Sequence, residues 1–213
     1  MACAICRIRK PRRFCPGVHG DICALCCGNE REVTVDCPFD CPYLQEARKH
    51  ERTGRLNPDK LPNRDIRVSE DFLEEHDSLL LGTAKAVMLA ALDTHGAVDG
   101  DVRDALEALI RTQRTLESGV YYESRPENPV ANRIFSATRT GLEEFRKREH
   151  EALGMSRTRD GDILVMLVFL QRLELDRSNG RPRGRAFLDS LRGLLVAADV
   201  VPQGPSAPSL ILP

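Results

Sequence analysis

Residues 3–41 read CAICRIRKPRRFCPGVHGDICALCCGNEREVTVDCPFDC, and they hold all eight cysteines of the 213-residue chain. The candidate ligands fall into close pairs. Cys3 and Cys6, Cys15 and His19, Cys23 and Cys26, and Cys37 and Cys41 follow the spacing C-x2-C-x8-C-x3-H-x3-C-x2-C-x10-C-x3-C. A C-x2-C pair forms a tight knuckle that presents two thiolates at one corner of a tetrahedron, which is the geometry zinc takes. Four pairs supply the ligands of two complete sites. The segment has few large apolar residues, so metal must supply much of its folding energy, about 10–16 kcal/mol per structural zinc in small peptides at neutral pH.

Composition narrows the class further. The chain is 41% hydrophobic with a formal charge of -1 and a pI near 6.5, so no global charge draws it to nucleic acid or to an anionic membrane. Residues 2–20 mix cysteine, arginine and proline where a secretion signal needs an uninterrupted apolar stretch, which predicts a cytoplasmic protein. The apolar runs Leu79–Leu92 and Ile163–Leu170 fall short of the roughly 20 residues that cross a bilayer, so no membrane contact is expected. In a reducing compartment, clustered thiols read as metal ligands before disulfides. Cys27 is a thiol beyond the four pairs. It either replaces His19, giving two all-cysteine sites, or stands free beside one of them as a redox-sensitive thiol. His50 lies beyond the last pair, in a helix, and is a weaker ligand candidate.

The order of the pairs resembles the RING family and its cross-brace, treble-clef relatives over residues 3–41. The resemblance implies that the first and third pairs, Cys3, Cys6, Cys23 and Cys26, hold one zinc. It assigns Cys15, His19, Cys37 and Cys41 to a second. Ile5 within CAIC matches the position at which many RING domains touch a ubiquitin-conjugating enzyme, and Pro38 after Cys37 is a second RING-like detail. The first spacer is about one residue shorter than the RING range, and the last pair has three intervening residues where RING domains have two. The run CCGNEREVTVDCPFDCPYLQEARKHE also resembles segments of bacterial zinc-binding proteins with no assigned activity.

Arg7, Arg9, Lys10, Arg12 and Arg13 fill the loop between the first two pairs. Residues 1–64 carry twelve Lys/Arg against eight Asp/Glu, and two four-thiolate zinc sites would add about two negative charges each. Local compensation of the thiolates therefore accounts for the basic loop, with nucleic-acid binding through Arg9, Lys10, Arg12 and Arg13 as the alternative; Phe14 is the loop's lone aromatic for base stacking. REVTVD, residues 31–36, alternates like a short strand.

Beyond the cysteines the pattern is helical. Pro42 directly after Cys41 starts a helix that ends near Gly54. Residues 55–69 contain two prolines and read as a linker. Helices are then predicted over about 70–93, 101–117, 129–153, 160–176 and 185–199. The fold class is thus mainly α, with a two-zinc finger over 1–54, a five-helix bundle over 70–199 and a proline-rich, disordered tail over 200–213. The run ILVMLVFL, residues 163–170, is apolar on all sides and belongs at the bundle's centre. No phosphate loop, nucleophile elbow or H-E-x-x-H helix is present, so no catalytic residue is assigned. Tyr121 and Tyr122 sit in a loop where they could anchor a partner. The sequence therefore reads as a non-enzymatic zinc-binding adaptor that contacts a protein or dimerises through its bundle. A RING-like ubiquitin ligase and a nucleic-acid-binding regulator are the alternatives.

Overall fold

The computed structural model describes residues 2–51, 61–120 and 122–201. Among these the chain is mainly helical, with an N-terminal cysteine-rich finger followed by a helical bundle. The finger has a two-stranded antiparallel hairpin, β1 (Arg13–Cys15) and β2 (Gly20–Ile22), in the register Arg13↔Ile22, Phe14↔Asp21, Cys15↔Gly20. Two short helices follow, α1 (Ala24–Glu30) and α2 (Pro42–Arg48). The bundle comprises α3 (Glu70–Glu75), α4 (Asp77–Leu92), α5 (Asp99–Glu117), α6 (Pro129–Leu153), α7 (Asp160–Arg177) and α8 (Ala186–Ala197).

Local chemistry sets the helix ends. Cys41 precedes Pro42, whose fixed φ suits the first helical position of α2. Ser69 Oγ accepts from the Phe72 N–H at the start of α3, and Asn128 Oδ1 accepts from the Val130 N–H at 2.9 Å at the start of α6. Gly154, at φ +74°, ends α6 in the left-handed conformation that glycine adopts without strain.

α7 runs through the centre, and Ile163, Leu164, Met166, Leu167, Val168 and Leu170 are all buried. It packs chiefly on α5, with α4 and α8 on its other sides, while α4 lies along α6. The α4–α6 crossing is close because each helix offers a glycine. A Cβ at Gly82 would lie 2.6 Å from the Phe145 ring, and one at Gly141 would lie 2.9 Å from Ala86 Cβ.

Two segments depart from the sequence expectation. The helix expected over 70–93 is broken at His76 (φ -116°, ψ 34°), giving α3 and α4 and a bundle of six helices. His76 stacks on Phe72 with centroids 4.2 Å apart, and its Nδ1 lies 3.0 Å from the Phe72 carbonyl, which also accepts from the His76 N–H at 3.1 Å. REVTVD forms no strand. The N–H groups of Val33, Thr34 and Val35 all converge on the Glu30 carbonyl, and Glu32 turns to φ +52°. The helix expected to reach Gly54 stops at Arg48, and its last residues lie outside the described residues.

Residues 61–69 are the described part of the expected linker, and 63–66 lie against α5 and α7. Arg172 Nη2 donates to the carbonyls of Asn63 (2.7 Å) and Ile66 (3.0 Å), Asn63 Nδ2 donates to Gln171, and Arg114 pairs with Asp65. Of the tail expected to be disordered over 200–213, Val200 and Val201 instead pack against the bundle core, with the Val200 N–H donating to the Leu195 carbonyl at 2.9 Å; the rest, from 202 onward, lies outside the described residues.

The finger is seated on the bundle by a polar seam centred on Glu32, whose side chain is fully buried. Its carboxylate accepts from Arg48 Nη2 (2.8 Å), Asn179 Nδ2 (2.8 Å) and the Arg185 N–H (3.0 Å), and its carbonyl accepts from the Arg183 N–H (2.8 Å). Arg181 donates to the Arg31 carbonyl, Arg185 pairs with Asp36 at 2.9 Å, and Arg48 pairs with Asp189. The loop between α7 and α8 is therefore the finger's cradle.

Candidate metal centre

Cys3 and Cys6 lie in the N-terminal knuckle, and Cys23 and Cys26 span the entry to α1. The two knuckles face each other because the hairpin folds the chain back: the Cys3 N–H donates to the Arg9 carbonyl, the Ala4 N–H to Asp21 and the Arg12 N–H to Ile22. The four sulfurs lie within 4.8 Å of one another, with Cys3, Cys23 and Cys26 buried and Cys6 half-buried. Backbone N–H groups point at the sulfurs, Cys23 N to Cys3 Sγ at 3.2 Å and Cys26 N to Cys23 Sγ at 3.4 Å. Such donors stabilise thiolates.

The thiols divide accordingly. Burial pushes the Cys3 thiol up, but N–H groups of Cys23, Cys6 and Ile5 outweigh it and bring it down to about 6. Cys6 is lowered by N–H groups of Arg9 and Ile8. Cys26 is pushed up to about 12, first by burial and then by the neighbouring cysteines. Four thiolates this close cannot all ionise alone, and a divalent cation at their centre removes that repulsion. Arg9 adds a positive charge at the rim, since the sulfurs of Cys23 and Cys6 raise its pKa. The residues fit one metal ion held by four protein ligands, without a disulfide among the eight cysteines.

The other cysteines also meet. Cys15 at the end of β1, Cys27 in α1, Cys37, and Cys41 before α2 line one small pocket with Arg13, Arg31, Phe14, Ile22, Tyr43 and Leu44. Burial raises the Cys37 thiol, and Cys15, Cys41 and the Glu32 charge add to the rise, while the Glu32 N–H acts in the opposite direction. His19 is exposed at the tip of the β1–β2 turn at φ +52° and does not line the pocket. His50 is exposed and pairs with Glu46 at 3.4 Å, a helical turn away.

The remaining candidates are dispersed. Ile5 is half-buried against the finger's small core, which is built on Ile22, Val35 and Leu44, and Pro38 is half-buried. Arg13 stacks on the Tyr43 ring at 4.0 Å and reaches to 3.8 Å from Cys27 Sγ, while Arg9 faces the first cluster. Lys10 and Arg12 are exposed. Tyr121 lies outside the described residues; Tyr122 is exposed, with its carbonyl accepting from Thr115 Oγ1. Ile8 and Leu25, 84% and 50% exposed, stand on the two knuckles of the cluster. Among the described residues no helix is long and apolar enough to cross a membrane.

Sequence reasoning missed the seam. Glu32 sits in an ordinary acidic and basic run, and, besides Arg48, its partners Asn179 and Arg185 lie 147 and 153 residues on, in a segment legible only as a break between helices.

Fold and site together define a cysteine-rich finger, with a four-cysteine cluster able to hold a metal ion, seated on a helical bundle. Comparison of the chain with protein-family models, with curated proteins and with solved structures gives no match.

Proposed function

We propose that the chain is a non-enzymatic interaction protein whose finger holds structural zinc, two ions per chain, and whose surface recruits a protein partner. The observation that carries this reading is the first cluster itself: four cysteine sulfurs lie within 4.8 Å of one another, enough protein ligands to complete a tetrahedral zinc site without a water or substrate in the fourth position. Thiolate-only ligation selects a soft or borderline ion, and zinc is the redox-silent member of that group. The exposed Ile8 and Leu25, on knuckles that metal would rigidify, are the proposed partner surface.

Cobalt substitution tests the reading. A tetrahedral thiolate spectrum that ignores added cyanide or azide is expected. A shift on adding either anion would reveal an open coordination position and a catalytic metal. For the partner surface, Ile8→Asp with Leu25→Asp should leave metal content and helicity intact while abolishing partner binding.

The convergence of the first and third ligand pairs also supports the cross-brace resemblance, and with it a RING-like ligase as a second reading. Ubiquitin discharge from a charged conjugating enzyme, lost on Ile5→Ala, is its test. The engagement of Arg9 and Arg13 with cysteine sulfurs favours charge compensation over nucleic-acid binding, for which salt-sensitive association lost on reversing Lys10 and Arg12 is the measurement.

A further inference from the structure

The pocket beneath α2 gives the second ion a definite ligand set. We propose that Cys15, Cys27, Cys37 and Cys41 form a second closed four-thiolate metal site, with Cys27 and not His19 as the ligand that completes it. The inference rests on the reading of the finger as metal-nucleated and specifies which residues hold the second ion.

Four separate elements deliver the sulfurs: the end of β1, the middle of α1, the segment after the 31–35 turn, and the residue ahead of α2. The space they line measures about 10 Å³, which is room for one water-sized body. Phe14, Ile22, Tyr43 and Leu44 complete its walls and offer no carboxylate or imidazole to compete as ligand. The charged groups present are Arg13 and Arg31. Their Nε atoms are buried without a hydrogen-bond partner, while Arg13 Nη1 lies 3.8 Å from Cys27 Sγ. Two half-buried arginines with buried, unpartnered Nε atoms are poorly accommodated around four neutral thiols. Around a dication with four thiolates they neutralise the net double negative charge. Binding releases the thiol protons to solvent, so loading is favoured as pH rises.

The backbone supports the same set. A Cβ at Gly17 would collide with the Asp36 carbonyl and lie 2.8 Å from Val35 Cγ1, so the hairpin turn presses on the chain just ahead of Cys37 and keeps Cys15 beside it. That turn holds His19 in a left-handed conformation with its side chain in solvent, whereas Cys27 on α1 faces inward to the pocket. The sulfurs of this set are more widely spaced than those of the first cluster, which alone among the described residues has all its ligand atoms within 4.8 Å. Metal would draw them in.

The test combines elemental analysis of the zinc-loaded full chain with thiol alkylation read by peptide mass spectrometry. Two zinc ions per chain and protection of all eight cysteines are expected in the unmodified sequence. Cys27→Ser should lose one ion, and His19→Ala should keep both. One ion per chain with Cys27 freely alkylated overturns the proposal while leaving the first site standing, whereas no bound metal at all removes the metal-finger reading itself. Loss of an ion from His19→Ala with Cys27→Ser unaffected overturns the ligand assignment. Protection in the unmodified chain needs no variant to fold, so the outcome does not depend on the stability of Cys27→Ser.

Discussion

Removing the Glu32 carboxylate should unseat the finger from the bundle. In Glu32→Ala, Arg48 loses a 2.8 Å charge-assisted bond, Asn179 loses its 2.8 Å acceptor and keeps only Glu51 at 3.5 Å, and the Arg185 N–H is left without its 3.0 Å partner. Breaking a buried ion pair from one side costs about 3–5 kcal/mol, and a hydrogen bond to a charged group contributes about 1.5–3. Arg48 retains Asp189, so the lower end applies, about 3 kcal/mol or roughly two decades in the seam's closed-to-open ratio. Glu32→Gln keeps one carbonyl acceptor but sets its amide against a donor, and about half that loss is expected. Hydrogen exchange of the zinc-loaded chain reads the seam directly. The N–H groups of Arg183 and Arg185, which bond to Glu32, should lose protection in Glu32→Ala while the central residues of α7 keep theirs. Unchanged protection at 183 and 185, or an overall urea-unfolding loss under about 1 kcal/mol, would refute the claim that Glu32 holds the two parts together.

Chelation of the metal at neutral pH should unfold residues 2–51 and spare α4–α8, because the finger's core is small and separate from the bundle's; exchange should become fast in the finger while most helical circular dichroism remains. Gly82→Ala should destabilise the bundle by about 1–3 kcal/mol in urea titrations, since its Cβ meets the Phe145 ring, and Phe145→Leu should recover part of the loss in the double variant. Asp99 is buried, and its carboxylate accepts from the Phe187 and Leu188 N–H groups at the start of α8; burial, partly offset by these bonds, pushes it up to about 7. The folded chain therefore holds a proton that the unfolded chain releases above about pH 4, so stability falls as pH rises from about 4 to 7, by a few kcal/mol. Asp99→Asn should flatten that slope in urea midpoints, and an identical slope in both proteins would place the effect elsewhere.

The sequence exposed the features that rest on local chemistry. Cysteine spacing marked Cys3–Cys6 and Cys23–Cys26 as knuckles, and the convergence of the first pair with the third is what the cross-brace resemblance implies. Helical periodicity placed a helix over about 129–153, and α6 has those bounds. What escaped notice depends on contacts that no short window contains. The break at His76 accompanies a ring stacked on Phe72, a pair that equally suits a continuous helix face. REVTVD alternates as a strand does, yet the Glu30 carbonyl gathers three N–H groups and closes it into a turn. His19 has the right spacing for a ligand, but its turn points it outward, and Cys27, which the sequence offered as its alternative, reaches the pocket from α1; spacing alone could not choose between them. Glu32 looks like any surface acid until residues 179–185 enclose it.

The seam also fixes an order of assembly. Synthesis proceeds from the N-terminus at about 5–20 residues per second, so the cysteines of residues 3–41 are translated well before Asn179 and Arg185. The finger can capture its metal while it is still a nascent segment, since its ligands are all local. Its buried acid must wait in water for more than a hundred further residues. A finger that has not loaded by then meets its cradle without the scaffold that shapes the Glu32 turn, so metal supply during translation, as well as afterwards, would determine how many chains close correctly.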